Sequence, residues 1–501
     1  MQRALLFLVS MITTFTQISR LSSYCIPVLS LSSKVLHCQS FRYQVSSNRR
    51  QRISILRKQQ QQQQMTTISM IGISHHDEMK QTVNDNCGVN KSAKMIPLSS
   101  TNLEKCGARL RQGGLVAFPT ETVYGLGCNA LDESAIIKVF EAKERPLTDP
   151  LITHVTENQV AFQLWAADIT TASSSTTTTT ADSSSCLEGR AIQALCDTFW
   201  PGPLTLVAKA APNVPPILMA NTGFVACRSP QHPISIALIN AAKVPIAAPS
   251  ANKFGHISPT RSHHVWDDLK NEDVWIVKEE EEESTTKTSN DDDTSCCQVG
   301  VESSVAKIEM IAADNEKGRI TLLRQGAVSL QDIQDCLTEA GLVDHFEVLA
   351  LTKKATDETV ANVAPGQTIR HYSPDIPSFI LSKSLPTLNT TSDDDREFLR
   401  KSVLIDFGGK LKTWENLSLA YRDLSEKADS AEATRGVFET LRWAEQIRDA
   451  NQILFPEIAD DEVVEGGQAC SPDALTLALK DRLTRAASGV IIDSLHTGID
   501  K

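Results

Sequence analysis

Acidic residues are absent from the first 76 positions of this 501-residue chain, although the whole sequence contains 61 Asp and Glu. The same segment contains nine Lys and Arg, so the remaining 425 residues carry 40 basic residues against 61 acidic ones, a net charge of −21. An acidic body argues against a broad surface for binding nucleic acid, but it allows a local basic cleft for a nucleotide.

Other missing features exclude further classes of protein. No stretch has eighteen consecutive apolar residues, so no transmembrane helix and no membrane partner are predicted. The phosphate-binding pattern GxxxxGK[ST] is absent. The twelve cysteines form no CxxC pair, so no zinc or other metal site is predicted. Aromatic residues make up only 5% of the chain, which leaves little for base stacking.

The N-terminal extension, residues 1–92, has the composition of a targeting segment. A mostly apolar run from Ala4 to Ile12 precedes Ser- and Arg-rich sequence and a glutamine tract, Gln59 to Gln64. An acid-free, Arg-rich start is typical of transit peptides and predicts a mitochondrial or plastid protein. The alternative is a disordered extension of a cytoplasmic protein, upstream of a true start at Met65, Met79 or Met95.

The stretch from Gly113 to Val155 contains the most informative local pattern. Leu115 to Phe118 is a short apolar run ended by Pro119, which predicts a buried strand. Residues 120–127 combine hydroxyl side chains with two glycines, a composition suited to a loop that holds a small polar ligand. Residues 132–143 have the apolar periodicity of an amphipathic helix.

Lys143 and Arg145 stand at the end of that helix. Pro146 favours an extended conformation for Arg145, which lets both side chains point into one cleft. Together they suit a polyphosphate, with lysine as a point charge and arginine as a two-pronged donor. The alternative is a pair of solvated charges at a helix C-terminus.

The rest of the chain predicts two folded regions with interruptions. Residues 170–185 are nearly all Ser and Thr, and residues 278–297 are rich in Glu, Asp, Ser and Thr, so both are expected to be disordered surface inserts. Residues 330–341 predict a closing helix. From Ile376 the sequence restarts as a separate α/β unit, with a helix expected at residues 432–448.

A series of motifs resembles the YrdC-type fold of threonylcarbamoyl-adenylate synthases. In chain order the motifs are PTETVYGLGCNA, KERP, PLITHV, FWPGPLTLV, VACRSPQHP, APSANKFGHISPT, GVESSV and LLRQGA. The segment PGQTIRHYSP, Pro365 to Pro374, resembles the interdomain linker of the family's longer members, although Gln367 to Ile369 depart from the usual pattern.

The resemblance implies an α/β fold with two domains. We expect a YrdC-like catalytic domain at residues 93–345, with a twisted mixed sheet and flanking helices. A linker at 346–375 would join it to a smaller Rossmann-like α/β domain at 376–501, which we interpret as a lid and scaffold.

The resemblance also implies a reaction and a set of site residues. The family joins L-threonine, bicarbonate and ATP into threonylcarbamoyl-AMP and pyrophosphate, the first step toward threonylcarbamoyladenosine in tRNA. Lys143 and Arg145 are the expected catalytic residues. The threonine-binding residues by this match are Thr122, His154, Arg228, Ala248 and Ser303. The ATP-binding residues by this match are Lys143, Arg145, Asp149, Ser250, Asn252, Ser258, Arg324, Arg370, His371 and Tyr372.

ATP is expected as a substrate with Mg²⁺, without zinc, and the expected partners are the machinery that transfers threonylcarbamoyl to tRNA and the tRNA itself. Asp149 would place a negative charge near phosphates, so it either calls for Mg²⁺ or turns away. Three alternatives stay open. They are an RNA-binding module of the same fold, an NAD-type oxidoreductase suggested by Gly125 to Ala130, and a carbamoyltransferase, which would be expected to carry cysteine pairs.

Overall fold

The structure is a computed structural model, and the residues it describes belong to one unit, Val89–Lys501. The described ranges are 91–166, 183–278, 297–311, 314–351, 361–365, 372–382, 392–458, 462–463, 469–470 and 473–495. Residues 1–90, which make up nearly all of the predicted targeting segment 1–92, lie outside these ranges, as do most of both inserts, Arg370 and His371. In the described part, no helix combines the length and apolar character needed to cross a membrane.

Among the described residues, eleven strands form the larger sheet. They are β1 Lys94–Pro97, β2 Leu115–Phe118, β3 Gly125–Asn129, β4 Ile152–His154, β5 Leu204–Lys209, β6 Phe224–Arg228, β7 Ile246–Ala247, β8 Val274–Lys278, β9 Ser304–Ile311, β10 Asp314–Arg324 and β11 Phe346–Ala350. Their order is β1-β8-β2-β3-β7-β4-β6-β5-β9-β10-β11. Parallel neighbours such as β4 and β6 alternate with antiparallel ones such as β2 and β3, so the expected mixed sheet is confirmed.

Helices pack around this sheet. They are α1 Ser100–Arg111, α2 Glu133–Lys143, α3 Asn158–Leu164, α4 Ser183–Phe199, α5 Pro233–Ala242, α6 Ser262–Leu269 and α7 Leu330–Glu339. The strand predicted at Leu115–Phe118 is confirmed, and all four residues are buried. Asp132 is the N-cap of α2 rather than its first residue, because its carboxylate accepts hydrogen bonds from the amides of Ser134 and Ala135.

Three predicted boundaries shift in the structure. Helix α7 ends at Glu339, before Gly341, whose φ of +65° lies in the left-handed region. Helix α4 begins at Ser183, so the last residues of the insert expected at 170–185 are helical. At the end of the second insert, Cys297 is buried and its thiol contacts the carbonyl of Thr260, so it is part of the packed structure.

A second sheet follows in the chain. Its five strands are β12 Ser378–Leu381, β13 Ser402–Asp406, β14 Ala420–Asp423, β15 Gln452–Pro456 and β18 Ile491–Ile492. Two short strands between β15 and β18, β16 Glu462–Val463 and β17 Ala469–Cys470, pair only with each other. The order is β14-β13-β15-β12-β18 and every pairing is parallel. Its helices are α8 Asp393–Leu399, α9 Ser430–Glu445 and α10 Ala474–Ala486. The α/β class is confirmed; α9 spans 430–445 rather than the predicted 432–448.

The region of the larger sheet, Lys94–Ala350, packs directly on that of the smaller sheet, Ser378–Ile492. Val123, Ile257 and Val301 from the large-sheet region share one buried apolar cluster with core residues of the small-sheet region. Gly300, with φ +76°, lets the chain approach α9, since a Cβ there would lie 2.4 Å from the Cα of Arg435. Apolar burial therefore holds the two regions together.

A charged cluster crosses the same boundary. Arg442 on α9 donates to both carboxylate oxygens of Asp268 on α6, at 3.1 and 3.2 Å. The ring of His256 lies between two carboxylates, with Nδ1 3.0 Å from Asp268 and Nε2 3.3 Å from Glu445. Burial alone would lower the pKa of His256, but the hydrogen bonds to Asp268 and Glu445 raise it to about 9.

We predict that this histidine makes stability depend on alkaline pH. A raised pKa gives stability that is complete below the ordinary value of about 6.5 and is lost as pH rises through about 9. The melting temperature should therefore fall by at least about 3 °C across that window. His256→Gln should flatten this slope, whereas the exposed His345 replaced by Gln should leave it unchanged. An equal slope in the wild type and the His256→Gln variant would contradict the assignment.

Candidate active site

The loop between β2 and β3 forms one wall of the candidate site. The hydroxyl of Thr120 donates to the carbonyl of Val123 at 2.7 Å and lies 2.8 Å from the hydroxyl of Thr122. Gly127 allows the strand to pass close to Phe118, because a Cβ on Gly127 would lie 2.8 Å from that ring. The loop is therefore a compact turn with its hydroxyl groups held in fixed positions.

A cleft of about 500 Å³, counting its open mouth, lies beside this loop. The predicted site residues that line it are Thr122, Arg145, His154, Arg228, Ala248, Ser250, Ser303, Arg324 and Tyr372. Seven further lining residues were not among the predicted site residues: Thr120, Val123, Gly125, Ile152, Pro249, Glu302 and Pro365. Residues far apart in the chain thus converge on one concave surface.

Four predicted residues lie behind the lining rather than on it: Lys143, Asp149, Asn252 and Ser258. The Nζ atom of Lys143 is buried and donates to the carbonyl of Ser250 at 2.6 Å and to that of Asn252. Burial and the neighbouring Arg145 hold the pKa of Lys143 well below its ordinary value. In this structure Lys143 therefore fastens the end of α2 to the loop at 250–252, while Arg145 faces the cleft.

Arg145 is fixed by the turn that follows α2. Its guanidinium donates to the carbonyls of Asp149 and Pro150 at 3.0 and 2.9 Å, and it lies 2.9 Å from the carboxylate of Asp149. Burial raises the pKa of Asp149, and Arg145 opposes that rise. The carboxylate of Asp149 is thus paired with Arg145, and Asp149 does not line the cleft.

Arg228 is held by a loop residue that the sequence analysis did not select. Its guanidinium donates to Glu121 at 2.6 Å and to the hydroxyl of Thr122 at 2.9 Å, and all three side chains are buried. Burial would raise the pKa of Glu121, but Arg228 brings it below the ordinary value. The sequence did offer one signal for Glu121, because it is the single acidic residue in the motif PTETVYG. The pair orients Arg228 and partly neutralises it.

His154, at the end of β4, is buried on the cleft wall. Burial and the nearby Arg228 lower its pKa to about 3, so the imidazole is neutral near pH 7. Among the described residues its Nδ1 has no hydrogen-bond partner. A neutral ring nitrogen in a cleft can accept a hydrogen bond from a ligand or donate one to it.

The opposite wall carries Ser303 and Arg324. Arg324 donates to the carbonyl of Ser303 at 2.9 Å and to its hydroxyl at 3.0 Å, and that hydroxyl is 2.7 Å from Thr205. In the part of the chain that the structure describes, no carboxylate is within ion-pair distance of Arg324, whereas Arg145 and Arg228 each have one. Among the described cleft arginines, Arg324 is thus the one without a direct ion pair.

The linker contributes to the mouth of the cleft. Pro365 and Tyr372 both line it, and the Tyr372 ring is fully buried with φ at +61°. Its ring packs against Phe438 on α9, with centroids 5.4 Å apart. The small-sheet region therefore supports one side of the cleft through Tyr372.

The carboxyl ends of the parallel strands β13 and β14 offer the usual position for a ligand in an α/β sheet. Here the chain's own carboxylates occupy it. Asp406 accepts from the amides of Phe407 and Leu411, and Asp423 accepts from those of Gly408 and Gly409. Amides that would otherwise attract phosphate are already satisfied, in keeping with a scaffold role for this region.

Comparison with known proteins gives matches along most of the chain. The family described as "Telomere recombination", which groups Sua5, YciO and YrdC proteins, matches residues 108–290. The family described as "Threonylcarbamoyl-AMP synthase, C-terminal domain" matches residues 328–488. Both halves of the chain therefore have recognised relatives.

Named relatives agree with these matches. The threonylcarbamoyl-AMP synthase of Schizosaccharomyces pombe is 31% identical over 421 residues, spanning 80% of this chain and 92% of that protein. The Bacillus subtilis enzyme of the same name is 29% identical over 401 residues, 78% of this chain and 96% of that protein. The Pyrococcus abyssi enzyme is 36% identical over 265 residues, which are 53% of this chain and 63% of that protein.

The fold has a solved counterpart. The crystal structure of P. abyssi Sua5 complexed with L-threonine matches 80% of this chain and 99% of that one, with 26% identity and a TM-score of 0.59. The chain thus belongs to the threonylcarbamoyl-AMP synthase family, in its long form with a YrdC-type region and a C-terminal α/β domain.

Proposed function

We propose that this protein is an L-threonylcarbamoyl-AMP synthase, a nucleotidyltransferase that uses L-threonine, bicarbonate and ATP. The observation that carries the proposal is the 31% identity to the S. pombe enzyme of that name over 80% of the chain. The convergence of nine predicted site residues on one cleft supports it. An RNA-binding role is not favoured, because the relatives are named as synthases.

The chemistry requires anions to be brought together. The threonine nitrogen bonds to the carbon of bicarbonate with loss of water, giving a carbamate. A carbamate oxygen then bonds to the α-phosphorus of ATP, and the bond from that phosphorus to the pyrophosphate oxygen breaks. Positioning and charge neutralisation are therefore the main tasks of the protein.

The threonine end is assigned to the wall around Arg228. Its fork geometry suits a carboxylate, and Glu121 with Thr122 fixes its orientation. His154 is neutral and lines the same cleft. Ala248 and Ser303 complete the proposed pocket. The pairing of Arg228 with Glu121 explains why an acidic loop residue stands beside an arginine that is proposed to bind an anion.

The nucleotide end is assigned to Arg145, Ser250 and Arg324, which line the cleft. Lys143 supports the loop at 250–252 in this structure and would supply a second positive charge when a triphosphate is present. Asn252 and Ser258 lie just behind. Arg370 and His371, outside the described residues, are proposed as further nucleotide contacts beside Tyr372.

Mg²⁺ is proposed to enter with ATP. The cleft carboxylate Glu302 contacts Ser258 and Arg482, and Asp149 is paired with Arg145. Both carboxylates are therefore already engaged by arginines. The ion would be held by phosphate oxygens and water, as is usual for Mg²⁺ with nucleotides, and no step proposed here depends on it.

The domain division is proposed at 93–345 and 376–501, with the linker at 346–375 between them. Its first residues form β11 of the larger sheet, so the lid is assigned to the part of the linker that follows β11. The amide of Asn362 donates to the carbonyl of Thr148, and that of Ser373 to the carbonyl of Gly255, each within 3.0 Å. The described pieces 361–365 and 372–375 therefore lie against the large-sheet region. A lid here would keep water from a labile adenylate.

Delivery of the adenylate to tRNA-modifying machinery is part of the proposal, with contact to tRNA itself as an extension of it. The acid-free residues 1–76 favour an organelle, mitochondrion or plastid, over the cytoplasm as the place of action. These assignments rest on the family reaction and the sequence.

The proposed reaction is tested by measuring pyrophosphate release from ATP. We expect release only when both threonine and bicarbonate are present. Lys143→Met and Arg145→Ala should each lower kcat/KM about 100-fold, because each removes a donor worth on the order of 3 kcal/mol in the transition state. The exposed Lys138 on the same helix, replaced by Met, is the matched control and should keep its activity. Wild-type rates in both site variants would remove the assignment.

The lid is tested at Tyr372. Tyr372→Ala should slow adenylate formation and increase the share of ATP that ends as free AMP, because water reaches the intermediate. Tyr372→Phe keeps the ring that packs on Phe438 and should retain most of the activity. The measurement is the ratio of threonylcarbamoyl-AMP to AMP by mass spectrometry. An unchanged ratio in the Ala variant would show that the linker is a passive tether.

A further inference from the structure

One carboxylate in the cleft has the wrong sign for the proposed ligands. Glu302 lines the cleft and is only 5% exposed, yet the proposed nucleotide and bicarbonate are anions and threonine carries a carboxylate. A carboxylate near a phosphate in a poorly hydrated site repels it strongly. The charge of Glu302 must therefore be compensated by something else.

The compensation comes from the small-sheet region. Arg482 on α10 is fully buried, and its Nε donates to the Oε2 atom of Glu302 at 2.8 Å. The same guanidinium donates to the carbonyl of Gln325 at 3.0 Å, pairs with Asp481 on its own helix at 2.8 Å and lies 5.1 Å from the centre of the Tyr372 ring. Arg482 thus reaches across the boundary to two residues that line the cleft, Glu302 and Tyr372.

The pair acts on two residues that were assigned to ATP. The other oxygen of Glu302 accepts a hydrogen bond from Ser258. Arg324 lines the same cleft and donates to the carbonyl of Ser303, the residue next to Glu302. In agreement with this placement, burial would raise the pKa of the Glu302 carboxyl, but Arg482 and Arg324 hold it below its ordinary value. If Arg482 were absent, Glu302 would have Arg324 as its remaining cationic neighbour and would draw on the positive charge available to phosphate.

We propose that Arg482 is a positioning residue for nucleotide binding, which neutralises Glu302 from behind and so leaves Arg324 free to bind phosphate. This inference rests on the proposed function, because it takes the ligand to be a nucleoside triphosphate. It gives the small-sheet region a direct effect on the cleft, in addition to its support of the lid.

The test measures binding of α,β-methylene-ATP by calorimetry, together with melting temperature, because the bridge between the α- and β-phosphates of this analogue cannot be cleaved. Arg482→Met should raise the Kd about tenfold or more, because it leaves the buried carboxylate of Glu302 uncompensated. Adding Glu302→Gln should bring the Kd back to within about threefold of the wild type, because the charge of Glu302 is then gone as well, while Asp481 keeps its ion pair with Arg485. If Arg482→Met weakened binding only through lost packing, removing the charge of Glu302 as well would not restore it.

Arg442→Met is the matched control. Arg442 is the other buried arginine that crosses this boundary to a carboxylate, and it does not line the cleft. This variant should also melt at a lower temperature but keep its Kd within about twofold of the wild type.

Two results would overturn the proposal. One is an unchanged Kd in Arg482→Met despite a lower melting temperature, which would make Arg482 a structural contact only. The other is a double variant that binds no better than the single one. If Arg482→Met does not fold, the double variant decides, and a tenfold loss of affinity in it would also overturn the proposal. A wild-type protein that binds the analogue but makes no adenylate would contradict the proposed function alone.

Discussion

The cleft is built around cationic side chains that are buried away from water. The rest of the structure depends on how the charges of these side chains are compensated. An isolated buried ion costs several kcal/mol, so each cation needs a partner that fixes it without consuming all of its hydrogen bonds. Arg228 has Glu121, Arg145 has Asp149, and Lys143 has two loop carbonyls. These partners explain why an anion site contains acidic residues.

The same constraint links the two regions of the chain. Glu302 belongs to the large-sheet region, but its partner Arg482 lies on a helix of the small-sheet region. Tyr372 likewise faces the cleft while packing on Phe438. Apolar burial at the boundary makes these contacts durable, because Val123 and Val301 lie in the core cluster of the smaller sheet. A change at Arg482 should therefore affect the cleft as well as stability.

Local patterns were sufficient for much of the fold. The strand at Leu115–Phe118 followed from an apolar run before a proline, and α2 followed from its periodicity. Motif order predicted the group of residues that meets at the cleft. The pairs Glu121 with Arg228 and Glu302 with Arg482 could not be predicted, because their members are 107 and 180 positions apart and no local spacing relates them. The position of Lys143 behind the cleft lining could not be predicted for the same reason, because its hydrogen-bond partners belong to a distant segment.

The account is tested most directly by a crystal structure of the full chain with L-threonine and a non-hydrolysable ATP analogue. It predicts the threonine carboxylate at hydrogen-bond distance from Arg228, and the phosphates beside Arg145 and Arg324 under Tyr372. Nucleotide bound elsewhere, such as at the carboxyl ends of β13 and β14, or threonine away from Arg228, would contradict it.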